Sequence, residues 1–118
     1  VLSLSGSYWW APKGEEASWL TRQYQHSPRY PVRFWLQAGR FETRGSDGGI
    51  YANTLEFGRV LSEKGYKVSF HPSSSGHDYV AWCEGLINGM RDLSGLALKR
   101  EPATPDPAQR QILDGAQR

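Results

Sequence analysis

The stretch Lys67-Val68-Ser69-Phe70-His71-Pro72-Ser73-Ser74-Ser75-Gly76-His77-Asp78, followed by the apolar-periodic run from Tyr79 to Leu93, decides the fold class. Tyr66, Val68 and Phe70 alternate with other positions in the period-two pattern of a strand. A serine-rich loop follows. Beyond it, Val80, Cys83, Ile87 and Met90, joined by Leu86 and Leu93, recur at helical spacing, which predicts a helix with that stripe turned to the core. Asp78 stands where an N-cap belongs, able to accept from the orphan amides of the first turn. The order strand, loop, helix places His77 at the carboxyl end of a strand, where open α/β sheets carry their chemistry.

The same punctuation extends outward. Pro31 to Ala38 predicts the clearest strand, with Val32, Phe34, Leu36 and Ala38 on one face and Arg33, Trp35 and Gln37 on the other. Ile50 to Lys64 predicts a helix, with Ser46 or Asp47 available as N-cap and Gly65 placed as a C′ glycine. Glu15 to Gln25 predicts another, with its acidic residues in the first turn, where the dipole favours them. Ser27-Pro28 and Tyr30-Pro31 end it, because a residue before proline disfavours the helical conformation. Val1 to Ser5 alternates and reads as a strand, and Gly6 to Gly14 as a loop. Three strands alternating with three helices argue an α/β fold with a parallel sheet and right-handed crossovers. Residues 1–96 form that unit, and residues 97–118, polar and rich in proline, are expected to be a disordered tail.

Composition narrows the function. The 118 residues suffice for about one small domain. A net charge of +2 from 14 scattered basic residues gives no nucleic-acid footprint. No apolar run approaches the roughly 18 residues that a membrane span requires. A single cysteine, Cys83, excludes an internal disulfide framework and cysteine-rich metal sites, and its place on the stripe predicts a core position. Five tryptophans in an aromatic content of 13% fit a dense core or an aromatic cleft. The opening Val1-Leu2-Ser3-Leu4, alternating and without an initiator Met, reads as a cut through a fold.

His77 is the candidate proton carrier, since imidazole takes and returns a proton near neutral pH. The alternative is an exposed loop histidine beside a helix start. Glu42, shortly after the clearest strand, is placed to orient and charge-stabilise that imidazole, because consecutive carboxyl-end loops of a parallel sheet are neighbours. Asp47 competes for this role. Tyr8, Trp9 and Trp10 sit in a loop on the same rim, where the rings either wall a binding cleft or seal the core edge. Arg40 is either a contact for an anionic substrate or a solvated loop arginine. No serine is followed and preceded by the glycines of a Gly-x-Ser-x-Gly elbow, so Ser5 and Ser7 are read as loop-lining.

Ser3-Leu4-Ser5-Gly6-Ser7-Tyr8-Trp9-Trp10, Leu36-Gln37-Ala38-Gly39-Arg40-Phe41-Glu42 and Gly76-His77-Asp78 with Trp82 resemble the carboxyl-terminal half of enterochelin esterases, within the esterase D-like α/β-hydrolases. The resemblance runs from Val1 to about Leu96. It implies the carboxyl-terminal part of an α/β-hydrolase sheet and a serine carboxyl-ester hydrolase acting on trilactones of catecholate siderophores. The partner it implies is a small-molecule ester of the ferric catecholate class, with no cofactor and no metal. The family's histidine matches His77 and its acid matches Glu42, although some members work as a Ser–His dyad. Its nucleophile elbow lies upstream of the matching region, so the nucleophile is expected before Val1 and these 118 residues alone are expected to be inactive. Trp9, Trp10 and Arg40 are the expected substrate contacts, and the compartment is cytoplasmic or periplasmic, since the family occupies both. Two other readings stand beside it. One is a feruloyl, acetyl-xylan or S-formylglutathione esterase of the same group; the other is a non-catalytic module with an aromatic binding cleft.

Overall fold

A computed structural model describes residues 1–45 and 47–95. The expected tail at 97–118 and the alternative cap Ser46 lie outside the described residues. Three strands, β1 (Leu2–Leu4), β2 (Arg33–Gly39) and β3 (Lys67–Ser73), alternate with three helices, α1 (Trp19–His26), α2 (Gly49–Glu63) and α3 (Tyr79–Ser94). The strands form one sheet in the order β1-β2-β3, and both pairings are parallel, with Leu4 opposite Gln37 and Gln37 opposite His71. The alternation predicted from the sequence is thus present as a small parallel α/β layer structure.

β2 is the central strand, and Phe34 to Gly39 are all buried. Alternate residues point to opposite faces of a strand, so its two faces meet different layers. Phe34, Leu36 and Ala38 join Phe57 and Leu61 of α2 with Tyr8, Tyr66 and Phe70 in one hydrophobic cluster. Tyr8 stacks on Phe57 with ring centroids 4.2 Å apart, and Tyr24 of α1 meets Phe34 edge to face at 5.6 Å. Trp35 and Gln37 face the other way, beneath α3, with Trp35 stacked on His71 at 4.5 Å.

Two helix starts differ from the sequence expectation. α1 begins at Trp19, not Glu15. The carbonyls of Glu16 and Ala17 accept from the Arg22 guanidinium, which occupies acceptors that a helix beginning at Glu15 would use for its own amides. The amides of Ser18 and Trp19 instead bond the carbonyls of Trp9 and Trp10, tying the helix start to the aromatic loop. α2 starts after Gly48, which holds φ 83° and offers no side-chain cap. Asp47 still serves this end: Oδ1 accepts from the Gly49 amide at 3.2 Å and Oδ2 from Asn53 Nδ2 at 2.8 Å. Those bonds, Asn53 first, hold the Asp47 carboxyl below its ordinary pKa. Gly65 follows the C-cap Lys64 with φ 78°, as its C′ placement predicts.

The expected orientation of α3 is corrected. Val80, Leu86, Ile87 and Met90 are exposed, Val80 to 82%, and Cys83 is exposed as well. The buried residues are Gly85 and Gly89. Two glycines four apart form a groove on one face of a helix, and the backbone there lies directly on β1 and β2. A Cβ at Gly89 would stand 2.5 Å from Leu2 Cδ1 and 2.9 Å from Trp35 Cδ2. Close backbone approach, not the apolar stripe, sets which side of α3 meets the sheet.

Gly89→Ala is therefore expected to destabilise the chain by about 1–3 kcal/mol through overpacking, despite alanine's better helix propensity. Ile87→Gln on the outward face is expected to stay within about 0.5 kcal/mol. Urea unfolding of both variants checks this, and the opposite ranking would place the stripe inward. Burial also pushes the Tyr8 phenol above its ordinary value, with the Ser3 hydrogen bond opposing. A phenol raised on folding contributes stability that is present below about pH 10 and lost as pH rises through the folded value. Tyr8→Phe is expected to flatten the alkaline limb of the stability curve.

Candidate active site

The carboxyl ends of the three strands gather on one rim, as parallel pairing requires. After β2 the chain turns sharply, with the Glu42 amide donating to the Gly39 carbonyl at 3.0 Å. This turn is fastened to the loop after β3: Arg40 N donates to Ser73 O at 2.9 Å and Phe41 N to Ser75 O at 3.1 Å. Gly39 is glycine for a steric reason. A Cβ there would stand 2.9 Å from the Gly76 carbonyl oxygen and closer still to that of Ser75, both main-chain atoms with no freedom to swing aside.

That fastening brings Glu42 and His77 together. His77 Nδ1 lies 2.5 Å from Glu42 Oε1, with the carboxylate side chain 2% exposed and the imidazole 55% exposed. The other carboxylate oxygen, Oε2, accepts from the Gly39 amide at 2.6 Å and from Ser5 Oγ at 2.8 Å. Ser5 Oγ accepts in turn from Trp82 Nε1 at 2.9 Å, and the Trp82 ring stands perpendicular to the imidazole with centroids 4.6 Å apart. Asp78 caps α3 as the sequence suggests, its Oδ1 accepting from Ala81 N at 3.0 Å. The cap fixes the helix start between His77 and Trp82, so both rings are anchored by one turn.

Asp47 is bonded to the first turn of α2, while Glu42 holds the imidazole. Trp9 and Trp10 are about half exposed, their carbonyls pinned to α1. The Arg40 guanidinium reaches the Tyr51 hydroxyl at 3.5 Å. None of these three lines the cavity that opens on Glu42 and His77. That cavity, about 260 Å³, is walled by Phe41, Ile50 and Arg44. Phe41 is 70% exposed, which gives the cavity an apolar lip. Arg44 has no carboxylate partner among the described residues. A larger cavity of about 470 Å³ lies between β3 and α3 and does not include the Glu42–His77 pair.

Sequence reasoning missed four contributors. Ile50 and Arg44 lie in no motif, Phe41 stands inside the Leu36–Glu42 string with no role assigned to it, and only the fold brings the three beside His77. The sequence pattern makes Ser5 loop-lining, yet it bonds Glu42 across 37 residues of chain. The available signal for Ser5 was its position at the end of a strand, on the rim already assigned to Glu42 and His77. Among the described residues no three His, Cys, Asp or Glu side chains gather as a metal-holding group. Comparison with protein families, characterised proteins and solved structures finds no match.

Nδ1 of His77 faces Glu42, so Nε2 is the nitrogen left to work, and no described group bonds it. The arrangement can receive a proton at Nε2 while the carboxylate stabilises the imidazolium that results. Gly39→Ala is expected to push the Ser75–Gly76 main chain outward and break the Nδ1–Glu42 contact. The measurement is the chemical-shift change at His77, which should exceed that at residues of α2. Unchanged His77 signals would contradict the close approach.

Proposed function

We propose that this chain carries the acid and histidine of a serine carboxyl-ester hydrolase, with the nucleophile supplied from outside these 118 residues. The observation that carries the reading is the pair itself: His77 Nδ1 on the buried Glu42 carboxylate at 2.5 Å, at the carboxyl rim of a parallel sheet. In that reading a serine hydroxyl attacks the ester carbonyl as His77 Nε2 takes its proton. The tetrahedral intermediate collapses, and the leaving alcohol receives the proton from Nε2. Water then repeats the sequence on the acyl-enzyme, again through Nε2. Glu42 stays ionised throughout, holding the tautomer and the charge.

The placement of the nucleophile elsewhere draws support from the site. Ser5 gives its hydroxyl proton to Glu42 Oε2, the oxygen opposite the one His77 uses, so it is not offered to Nε2. No serine in the chain has a glycine two residues before it. β1 is an edge strand, and apolar surface flanks it on both sides. On one side lies a cavity of about 380 Å³ lined by Leu2, Tyr8, Tyr24 and Phe57, and on the other the outward stripe of α3. An open edge strand and exposed apolar surface ordinarily meet a partner, so these surfaces fit a chain that works within a larger α/β-hydrolase sheet.

For the substrate, the resemblance favours an ester of the catecholate siderophore class. Phe41 and Ile50 fit an apolar or aromatic acyl group, and Arg44 fits an anionic substituent on it.

The test has two parts. A serine-directed phosphonate probe is expected to leave the 118-residue chain unlabelled; labelling would put the nucleophile inside it. In a longer form that hydrolyses esters, His77→Ala is expected to lower kcat by about 10⁶-fold, with KM little changed. Turnover near that of the parent would remove His77 from the mechanism.

A further inference from the structure

We infer that Ser5 and Trp82 are positioning residues of the Glu42–His77 pair, acting in series through one directed chain of hydrogen bonds. The inference rests on the proposed role of that pair and extends it to the residues that aim the acid.

The direction of the chain follows from donor inventory. An indole N–H only donates, whereas a hydroxyl has one proton to give and lone pairs to receive. Trp82 Nε1 at 2.9 Å therefore makes Ser5 Oγ an acceptor. The single Ser5 proton goes to Glu42 Oε2 at 2.8 Å. The Gly39 amide is a second donor to the same oxygen, at 2.6 Å. With Oε2 occupied twice, Oε1 is left to the His77 Nδ1 proton. Every donor finds its acceptor when Glu42 is a carboxylate and His77 carries its proton on Nδ1. The bond at one ring nitrogen sets the state of the other, so Nε2 is left bare as an acceptor.

Backbone strain at Ser5 points the same way. It has φ 50°, and Ser18 is the only other non-glycine residue at positive φ among the described residues. Such a conformation is disfavoured for a side-chain-bearing residue and persists where the surroundings over-determine it. Glycine adopts it freely, so the serine contributes its hydroxyl, not backbone freedom. The Ser5 amide is held by the Gln37 carbonyl at 2.8 Å, which aims the side chain into the rim. Trp82 acts on the pair from both ends: its N–H reaches the acid through Ser5, and its ring stands against the imidazole.

The test reads the tautomer of neutral His77 from imidazole ¹⁵N shifts at alkaline pH in the labelled 118-residue chain, and needs no catalytic activity. The parent is expected to be mainly the Nδ1–H form. Ser5→Ala and Trp82→Phe are each expected to raise the Nε2–H to Nδ1–H ratio about two- to tenfold, the weight of one hydrogen bond. Because the two act in series, the double variant is expected to match Ser5→Ala alone. Trp82→Phe leaves an aromatic ring at this position while removing the N–H donor, so it carries the test by itself should Ser5→Ala not fold. Ratios unchanged in both variants while Glu42→Gln shifts its own would assign Ser5 and Trp82 to packing and overturn the inference. Fully additive effects would overturn the serial chain. Glu42→Gln leaving the ratio unchanged would overturn the pair and the inference with it.

Discussion

A carboxylate removed from water must be answered by donors, or its burial costs several kcal/mol. Glu42 is the residue at which this constraint bears hardest on the fold. Its side chain is 2% exposed, and its partners come from three separate stretches of chain: Ser5 after β1, Gly39 at the end of β2 and His77 after β3. Satisfying one carboxyl group therefore requires all three strands to end at the same level. A sheet with one strand reversed would send that strand's contribution to the opposite rim. The buried charge and the parallel topology are two aspects of one arrangement.

The two sides of the sheet are built by different means. On one, aromatic rings from α1, α2 and the Tyr8 loop interlock over Phe34, Leu36 and Phe70, and the packing is large side chain against large side chain. On the other, α3 lies close because Gly85 and Gly89 present nothing but backbone to Leu2, Leu4 and Trp35. The close approach has a structural consequence at the rim. It lowers the first turns of α3 far enough for Trp82 to reach Ser5, which a helix seated on its apolar stripe would not do. It also leaves Val80, Leu86, Ile87 and Met90 facing outward, a contiguous apolar surface of the kind that usually meets a partner layer.

The rim combines a buried, multiply bonded carboxylate with a half-exposed imidazole anchored to it. Glu42 is fixed by main-chain and side-chain donors, while His77 is half exposed and reaches the cavity walled by Phe41, Ile50 and Arg44. In the proposed hydrolase that division would suit proton transfer, the carboxylate staying fixed while the imidazole meets a reactant. Among the described residues no helix is long and apolar enough to cross a membrane.

Much of this was written in local sequence. Alternation at Phe34-Trp35-Leu36-Gln37-Ala38, helical spacing from Ile50, Gly65 as a terminator and Asp78 as a cap are short-range signals, each with a local physical cause. The neighbourhood of Glu42 and His77 was also readable, since strand–loop–helix order puts successive loops on one rim. The side of α3 that meets the sheet was not readable, because hydrophobic periodicity assumes that apolar side chains choose the interface. Here the steric fit of two glycines against Leu2 and Trp35 chose it. The reach of Ser5 to Glu42, the relay through Trp82 and the walls of the cavity join residues up to 77 positions apart. No window of sequence contains such distances, and only the packed sheet brings those atoms within a hydrogen bond.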